Sequence, residues 1–288
     1  MKALKHWYAN AKFAPTIALL LLTIVWSIPT VGLLLTSLRS KDLAETSGWW
    51  EAIFNPLGQV WSLDPYATAI GSGILDSLVN TIAITVPATV LPLVVAANAA
   101  YAFTFIEFKG RELYFSALVA LMVIPLQVSL LPVLRALRFM KLEMGITLTG
   151  TYAAAWIVHT AFALPLAIYI LRNYMLSLPT SLIEAARIDG ASYYQIFWKL
   201  IMPMSIPALA SFAIFQFLWV WNDYLIAFVF VGEQKSTMTY KIMRLMGQYG
   251  DGWQNVAAGS FISLVVPIAV FFGLQRYFVR GLTAGAVK

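Results

Sequence analysis

Six stretches of the chain contain no Asp, Glu, Lys or Arg: residues 13–38, 77–106, 113–134, 144–171, 200–222 and 252–275. Each is longer than the roughly 18 residues that mark a membrane-spanning helix. Together they hold 153 of the 288 residues, so all the charges fall in the remaining 135. There they reach about the density of an ordinary soluble surface. The pattern predicts an all-α, polytopic membrane protein, one transmembrane domain over residues 1–288. Six transmembrane helices are expected near 14–38, 76–105, 113–134, 147–172, 204–230 and 256–279, with the N- and C-termini cytoplasmic. A β-barrel is excluded, because its strands would alternate apolar and polar positions over about ten residues.

Charge then orients the helices. Lys2, Lys5 and Lys12 precede the first apolar stretch in the manner of a signal peptide. That stretch is too long for one, and no small-residue cleavage site follows before Arg39, so it reads as a retained helix. Alternating sides from a cytoplasmic N-terminus places 11 of the 19 Lys and Arg inside, a modest positive-inside bias. Arg135, Arg138 and Lys141 run against it and read as a short outer turn. Two outer segments are long, 39–76 with Trp49, Trp50 and Trp61, and 232–256 with Thr237, Tyr240, Tyr249 and Trp253. Their aromatics suit either contact with an external protein or an aromatic belt at the membrane surface. The location implied is the inner membrane, with lipid as the surrounding partner.

The inner stretch 174–203 between the fourth and fifth helices carries the most specific local chemistry. Ser181 with Glu184 and Ser192 with Gln195 each have the spacing of a capping box and mark two helix starts. Gly190 falls where the first helix must stop, a position suited to left-handed backbone. Ala185 and Ala186 are small enough for another surface to approach, and Glu184, Arg187 and Asp189 can pair across an interface. Pro203 marks the start of the fifth membrane helix.

The run Glu184-Ala185-Ala186-Arg187-Ile188-Asp189-Gly190, then nine residues to Leu200-Ile201-Met202-Pro203, resembles the EAA loop of ABC importer permeases. Leu200 and Met202 are mild departures from its I-x-L-P ending. The tail from Gln275, Ile124-Pro125-Leu126-Gln127 with Leu131-Pro132, Asn80-Thr81 and Trp221-Asn222-Asp223 are similar to the carbohydrate-importer group related to the smaller maltose-transporter permease, with the α-glucoside and glucosyl-polyol branch nearest. The resemblance implies half of a heterodimeric pore. Its partners would be a second permease subunit, a cytoplasmic ABC ATPase dimer and an extracytoplasmic solute-binding protein, with a carbohydrate or glycoside as solute. It assigns Glu184, Ala185, Ala186, Asp189 and Gly190 to ATPase coupling.

Other chemistry is excluded residue by residue. No G-x-x-x-x-G-K-[ST] loop occurs to hold ATP phosphates. No cofactor is expected on this chain, ATP and Mg belonging to the partner ATPase. With no cysteine and two histidines, His6 and His159, neither a metal site nor a hydrolase centre is expected. No basic-aromatic stripe points to nucleic acid. Polar groups inside the membrane are functional candidates. Gln127 and His159 fall near mid-bilayer, where they line a cavity or join helices by a hydrogen bond. Asp223 lies about 30 Å beyond Pro203 at ~1.5 Å per residue, near the outer interface. With Trp219, Trp221 and Asn222 it offers the stacking faces and hydrogen-bonding groups that a sugar needs. The competing class is an ion-coupled secondary transporter, which usually carries internal repeats; no clear repeat is present.

Overall fold

The computed structural model describes residues 2–247 and 250–284. Tyr249, residues 285–288 and the side chains of Lys2, Lys5, Lys12 and 276–284 lie outside what is described, and with them most side chains of the tail from Gln275. In chain order the helices are α1 (Lys2–Ser37), α2 (Lys41–Thr46), α3 (Glu51–Phe54), α4 (Asp64–Gly71), α5 (Ile74–Phe105), α6 (Arg111–Ala120), α7 (Leu126–Met144), α8 (Tyr152–Leu176), α9 (Thr180–Ile188), α10 (Tyr193–Ile196), α11 (Met202–Trp221), α12 (Met238–Arg244) and α13 (Trp253–Ala284). Among the described residues the sole extended pairing is one isolated bridge, Arg39 to Trp61.

Five spans are long and apolar enough to cross a membrane: Pro15–Ser37, Ile74–Phe105, Tyr152–Leu176, Tyr193–Trp221 and Trp253–Gln275. A sixth is formed if Arg111–Val123 and Leu126–Met144, bent by 105°, count as one span. Where one helix was expected near 113–134, the structure has this bent pair. Ile124 is extended (ψ 116°) and Pro125 sits at the N-cap of α7. Proline lacks the N–H that would continue the helix and disfavours helical backbone in the residue before it. Beyond the break α7 runs to Met144 and stops at Gly145, which has φ +68°. Arg135, Arg138 and Lys141 thus lie on a helix, not in the turn the charge pattern suggested.

The fifth span is corrected as well. It begins at Tyr193, passes through a π-helical turn at Phe197–Ile201 and ends at Trp221, rather than covering 204–230. Asn222 turns back to donate to the Leu218 carbonyl (2.8 Å), and a further π-helical turn follows at Ala227–Val231.

The chain divides into two compact units. One comprises residues 1–74 and 242–262. Its excursion from 39 to 61 is not a bare loop: Ser40 N–H bonds Val60 O (2.9 Å) and Ser62 N–H bonds Leu38 O (2.8 Å), which returns the chain to the end of α1. Arg39, fully buried, fills the enclosed space. Its guanidinium donates to Gln59 Oε1 (2.8 Å), to the carbonyls of Ser47 and Gly48 (3.1 Å each) and to Ser47 Oγ. Burial pushes the guanidinium down from its ordinary value, and Glu51 opposes that shift. Elsewhere in this unit Lys41 bridges Asp251 at 3.2 Å and Glu45 accepts from Gly252 N–H at 3.0 Å.

The other unit comprises residues 75–241 and 263–288. Its helices α5, α8 and α11 share one buried core that includes small side chains from each, Ala96, Ala97 and Ala100 from α5, Ala167 from α8 and Ala208 from α11, residues of the kind that let membrane helices pack closely. Prolines at 87 and 92 interrupt α5, and each leaves unpaired the carbonyl four residues earlier. Both carbonyls find donors from neighbouring helices. Trp156 Nε1 donates to Ala83 O (2.9 Å) and Gln216 Nε2 to Ala88 O (3.1 Å). In hydrocarbon, where water is not available to such groups, this is what lets a long helix keep two internal prolines.

Candidate functional site: the segment between α8 and α11

Residues 177–203 fold into a helix, a glycine turn and a second helix. The Ser181–Glu184 capping box does not form. The helix α9 already starts at Thr180, with Pro179 at the N-cap and no side-chain cap, because proline's fixed φ sets up the first turn two residues earlier. The Ser192–Gln195 box does form, with Ser192 N–H to Gln195 Oε1 at 2.8 Å and Gln195 N–H to Ser192 Oγ at 3.3 Å. Between them Gly190 has φ +77°. Its N–H bonds Arg187 O (3.0 Å), and Ala191 N–H bonds Ala186 O (2.9 Å). This pair of bonds is the Schellman termination, which needs left-handed backbone at the glycine.

The turn decides which side of α9 is covered. Ile183 is buried and Ala186 packs beside it against the core that holds Ala100, Met175 and Phe197. Leu182, Glu184, Ala185, Ile188 and Asp189 are exposed, Ile188 at 86%. The two alanines that look equivalent in sequence thus part company: Ala185 faces outward and Ala186 inward. Leu182, Ala185 and Ile188 at three-residue spacing give a small exposed apolar stripe, without a covering partner among the described residues and flanked by two carboxylates.

The polar residues singled out inside the membrane are not gathered into one site. Gln127 is exposed at the start of α7, beside the break. Trp219 is exposed, whereas Trp221 is buried and donates from Nε1 to Ser263 Oγ (3.2 Å). His159 and Asp223 do meet: His159 Nε2 lies 3.7 Å from Asp223 Oδ2, with both side chains largely buried. The carboxylate also accepts the N–H groups of Ile226 (3.3 Å) and Ala227 (3.0 Å), so it caps the segment after the break. Asp223→Ala is expected to destabilise the folded chain by about 1 kcal/mol through loss of that cap, with Asp223→Asn retaining much of it. Thermal unfolding of the purified complex would test this; equal midpoints for wild type and Asp223→Ala would remove the capping role.

Sequence reading missed a polar edge at the start of α5. Ser77 Oγ lies 3.1 Å from Ser236 Oγ, Asn80 Nδ2 donates to Ser236 O (3.0 Å), and Thr81 Oγ1 accepts Met238 N–H (2.8 Å). Tyr152 OH donates to Asn80 Oδ1 at 2.6 Å. The i, i+3, i+4 spacing of these three polar residues in an apolar helix was the available signal.

A profile of the family described as "binding-protein-dependent transport system inner membrane component" matches residues 88–284, which include the whole glycine-turn segment. The chain belongs to that family. It is therefore an inner-membrane permease subunit of an ABC importer and not itself an ATP-hydrolysing enzyme. The permease is 48% identical over 276 residues to the osmoprotective compounds uptake permease protein GgtD of Synechocystis, covering 94% of this chain and 91% of that one. It is 37% identical to the alpha-glucoside transport system permease protein AglG of Rhizobium meliloti, covering 96% and 97% of the two chains. Among solved structures it resembles a chain of a bacterial ABC transporter that imports the acidic polysaccharide alginate, with a TM-score of 0.71 at 22% identity, covering 94% and 98%. That likeness shows the fold. The ion-coupled alternative finds no support in these matches.

Proposed function

We propose that the permease forms half of the pore of an ATP-driven importer for a glycoside or a related carbohydrate-like solute. In this reading both termini and the segment 174–203 lie in the cytoplasm. A second permease completes the pore, a solute-binding protein delivers from outside, and ATP with Mg is bound by a pair of cytoplasmic ATPase subunits rather than by this chain. The observation that carries the coupling role is the outward face of α9. Leu182, Ala185 and Ile188 form an apolar stripe on a nine-residue helix, flanked by Glu184 and Asp189. Isolated helices below roughly 12 residues are marginal in water, so this one is held by its glycine turn and by packing. A groove on the ATPase of matching shape, with basic residues at its edge, would cover the stripe. The glycoside class is supported by the relatives' solutes. Gln127, His159, Trp219, Trp221, Asn222 and Asp223 remain the residues proposed for the solute route, with His159 and Asp223 also linking two helices.

The complex reconstituted in vesicles with ATP inside is expected to take up solute only when the binding protein and ATPase are both present. A protonophore should leave the initial rate unchanged. Uptake by the permease alone, driven by an ion gradient, would defeat the reading.

A further inference from the structure

Arg187 stands on α9 but does not join its outward stripe. Its Nη2 reaches across to donate to Phe105 O (3.1 Å), the last carbonyl of α5, and its guanidinium lies 5.5 Å over the Tyr193 ring. A second cation serves the same helix end: Arg172 Nε donates to Phe103 O at 3.4 Å and the head group sits 4.1 Å over Phe115. The terminal carbonyls of a helix have no partners within it and carry the negative end of its dipole, so two guanidiniums there are favourable. Tyr101 adds a third tie, its hydroxyl donating to Tyr193 O at 3.1 Å while its ring packs 5.1 Å from Phe197. The end of α5 is thus bound to both helices that flank Gly190.

The opposite end of α5 is bound just as specifically, to the Ser236–Met238 segment through Ser77, Asn80 and Thr81. Between the two ends lie 32 residues, about 48 Å at ~1.5 Å per residue. The two positions where such a helix would bend, Pro87 and Pro92, are those where Trp156 and Gln216 take up the freed carbonyls. The carbonyls freed at both prolines of α5 are thus braced, one from α8 and the other from α11.

We infer that Arg187 is a positioning residue that ties the docking helix α9 to α5, and that α5 carries a displacement of α9 to residues 236–238 on the other side of the membrane. The inference rests on the coupling role proposed above for this segment. It adds a route: ATPase movement reaches the outer segment through one braced helix, entered by a hydrogen bond from an exposed arginine that core packing does not require.

The test uses the assembled importer in vesicles. The permease has no cysteine, so a single nitroxide at Gln234, which is exposed, reports the outer segment alone. On ATP binding its spectrum should change in the wild type. Arg187→Ala should keep the ATPase bound but lose most of that change, and solute taken up per ATP should fall about five- to tenfold, the scale of one lost hydrogen bond at an exposed site. Arg187→Lys, which still offers a cationic donor, should restore part of both. Gly190→Val, measured in parallel, separates the two readings. If Gly190→Val uncouples the importer and Arg187→Ala does not, the clamp is wrong and the docking role stands. If neither uncouples it, the docking role itself fails. Loss of the ATPase from the Arg187→Ala complex would place Arg187 in the docking surface and overturn the clamp, as would a wild-type spectrum indifferent to ATP.

Discussion

Gly190→Val is expected to lower ATP-coupled uptake by roughly five- to thirtyfold, with solute binding to the extracytoplasmic protein unchanged. Left-handed backbone costs a side-chain-bearing residue about 1–2 kcal/mol, and a β-branched one falls at the upper end or beyond. A change of that size shifts the population of the native turn by a factor of about 5 to 30. Nothing lies within 4 Å of where a Cβ at 190 would stand, so the effect comes from the backbone and not from a clash. The substitution series is therefore diagnostic. Asparagine, which tolerates this conformation, should be mild, alanine intermediate at about 1 kcal/mol, and valine worst. Uptake and ATPase rate measured side by side check the order. Equal coupling in all three variants at wild-type expression would show that the orientation of α9 does not matter.

Arg39→Met should destabilise the unit formed by residues 1–74 and 242–262 by about 3 kcal/mol. Methionine replaces the buried stem of the arginine but none of its donors. The Ser47 and Gly48 carbonyls and the Gln59 amide then lose their partner, and each buried group so orphaned costs on the order of 1–3 kcal/mol, less where the excursion relaxes. The readout is a lower unfolding midpoint with faster proteolysis between residues 41 and 61. Lys41→Ala, which removes a surface bridge to Asp251, serves as the control and should leave both measurements unchanged. Similar proteolysis rates for Arg39→Met and Lys41→Ala would mean that the arginine is not what closes the excursion.

The contrast between Gly190 and Arg39 shows what kind of signal each carries. Gly190 is legible because a helix stop is local: a few residues of backbone and one residue without a side chain determine it, and the Ser192–Gln195 box is local in the same way. Arg39 reads in sequence as one more outer charge, because its partners at 47, 48 and 59 are brought to it only when the chain returns alongside the end of α1. The misread Ser181–Glu184 box is instructive too. Its spacing was suitable, but Pro179 started the helix two residues sooner, so the competing local rule prevailed.

Membrane insertion and the number of apolar spans were decided by composition along the chain, since transfer from water to hydrocarbon depends on each segment's own residues. The helix–glycine turn–helix form of residues 180–196 followed for a similar reason, its turn chemistry being written in consecutive positions. The break at Pro125 lay within a charge-free stretch, where hydropathy sees no boundary. Tertiary structure alone decided that Trp156 and Gln216 would take up the carbonyls freed by the α5 prolines, the pairing of His159 with Asp223, and the reach of Arg187 to Phe105. Each of those contacts joins residues more than 40 positions apart, so the physics that selects it acts only after the helices have packed.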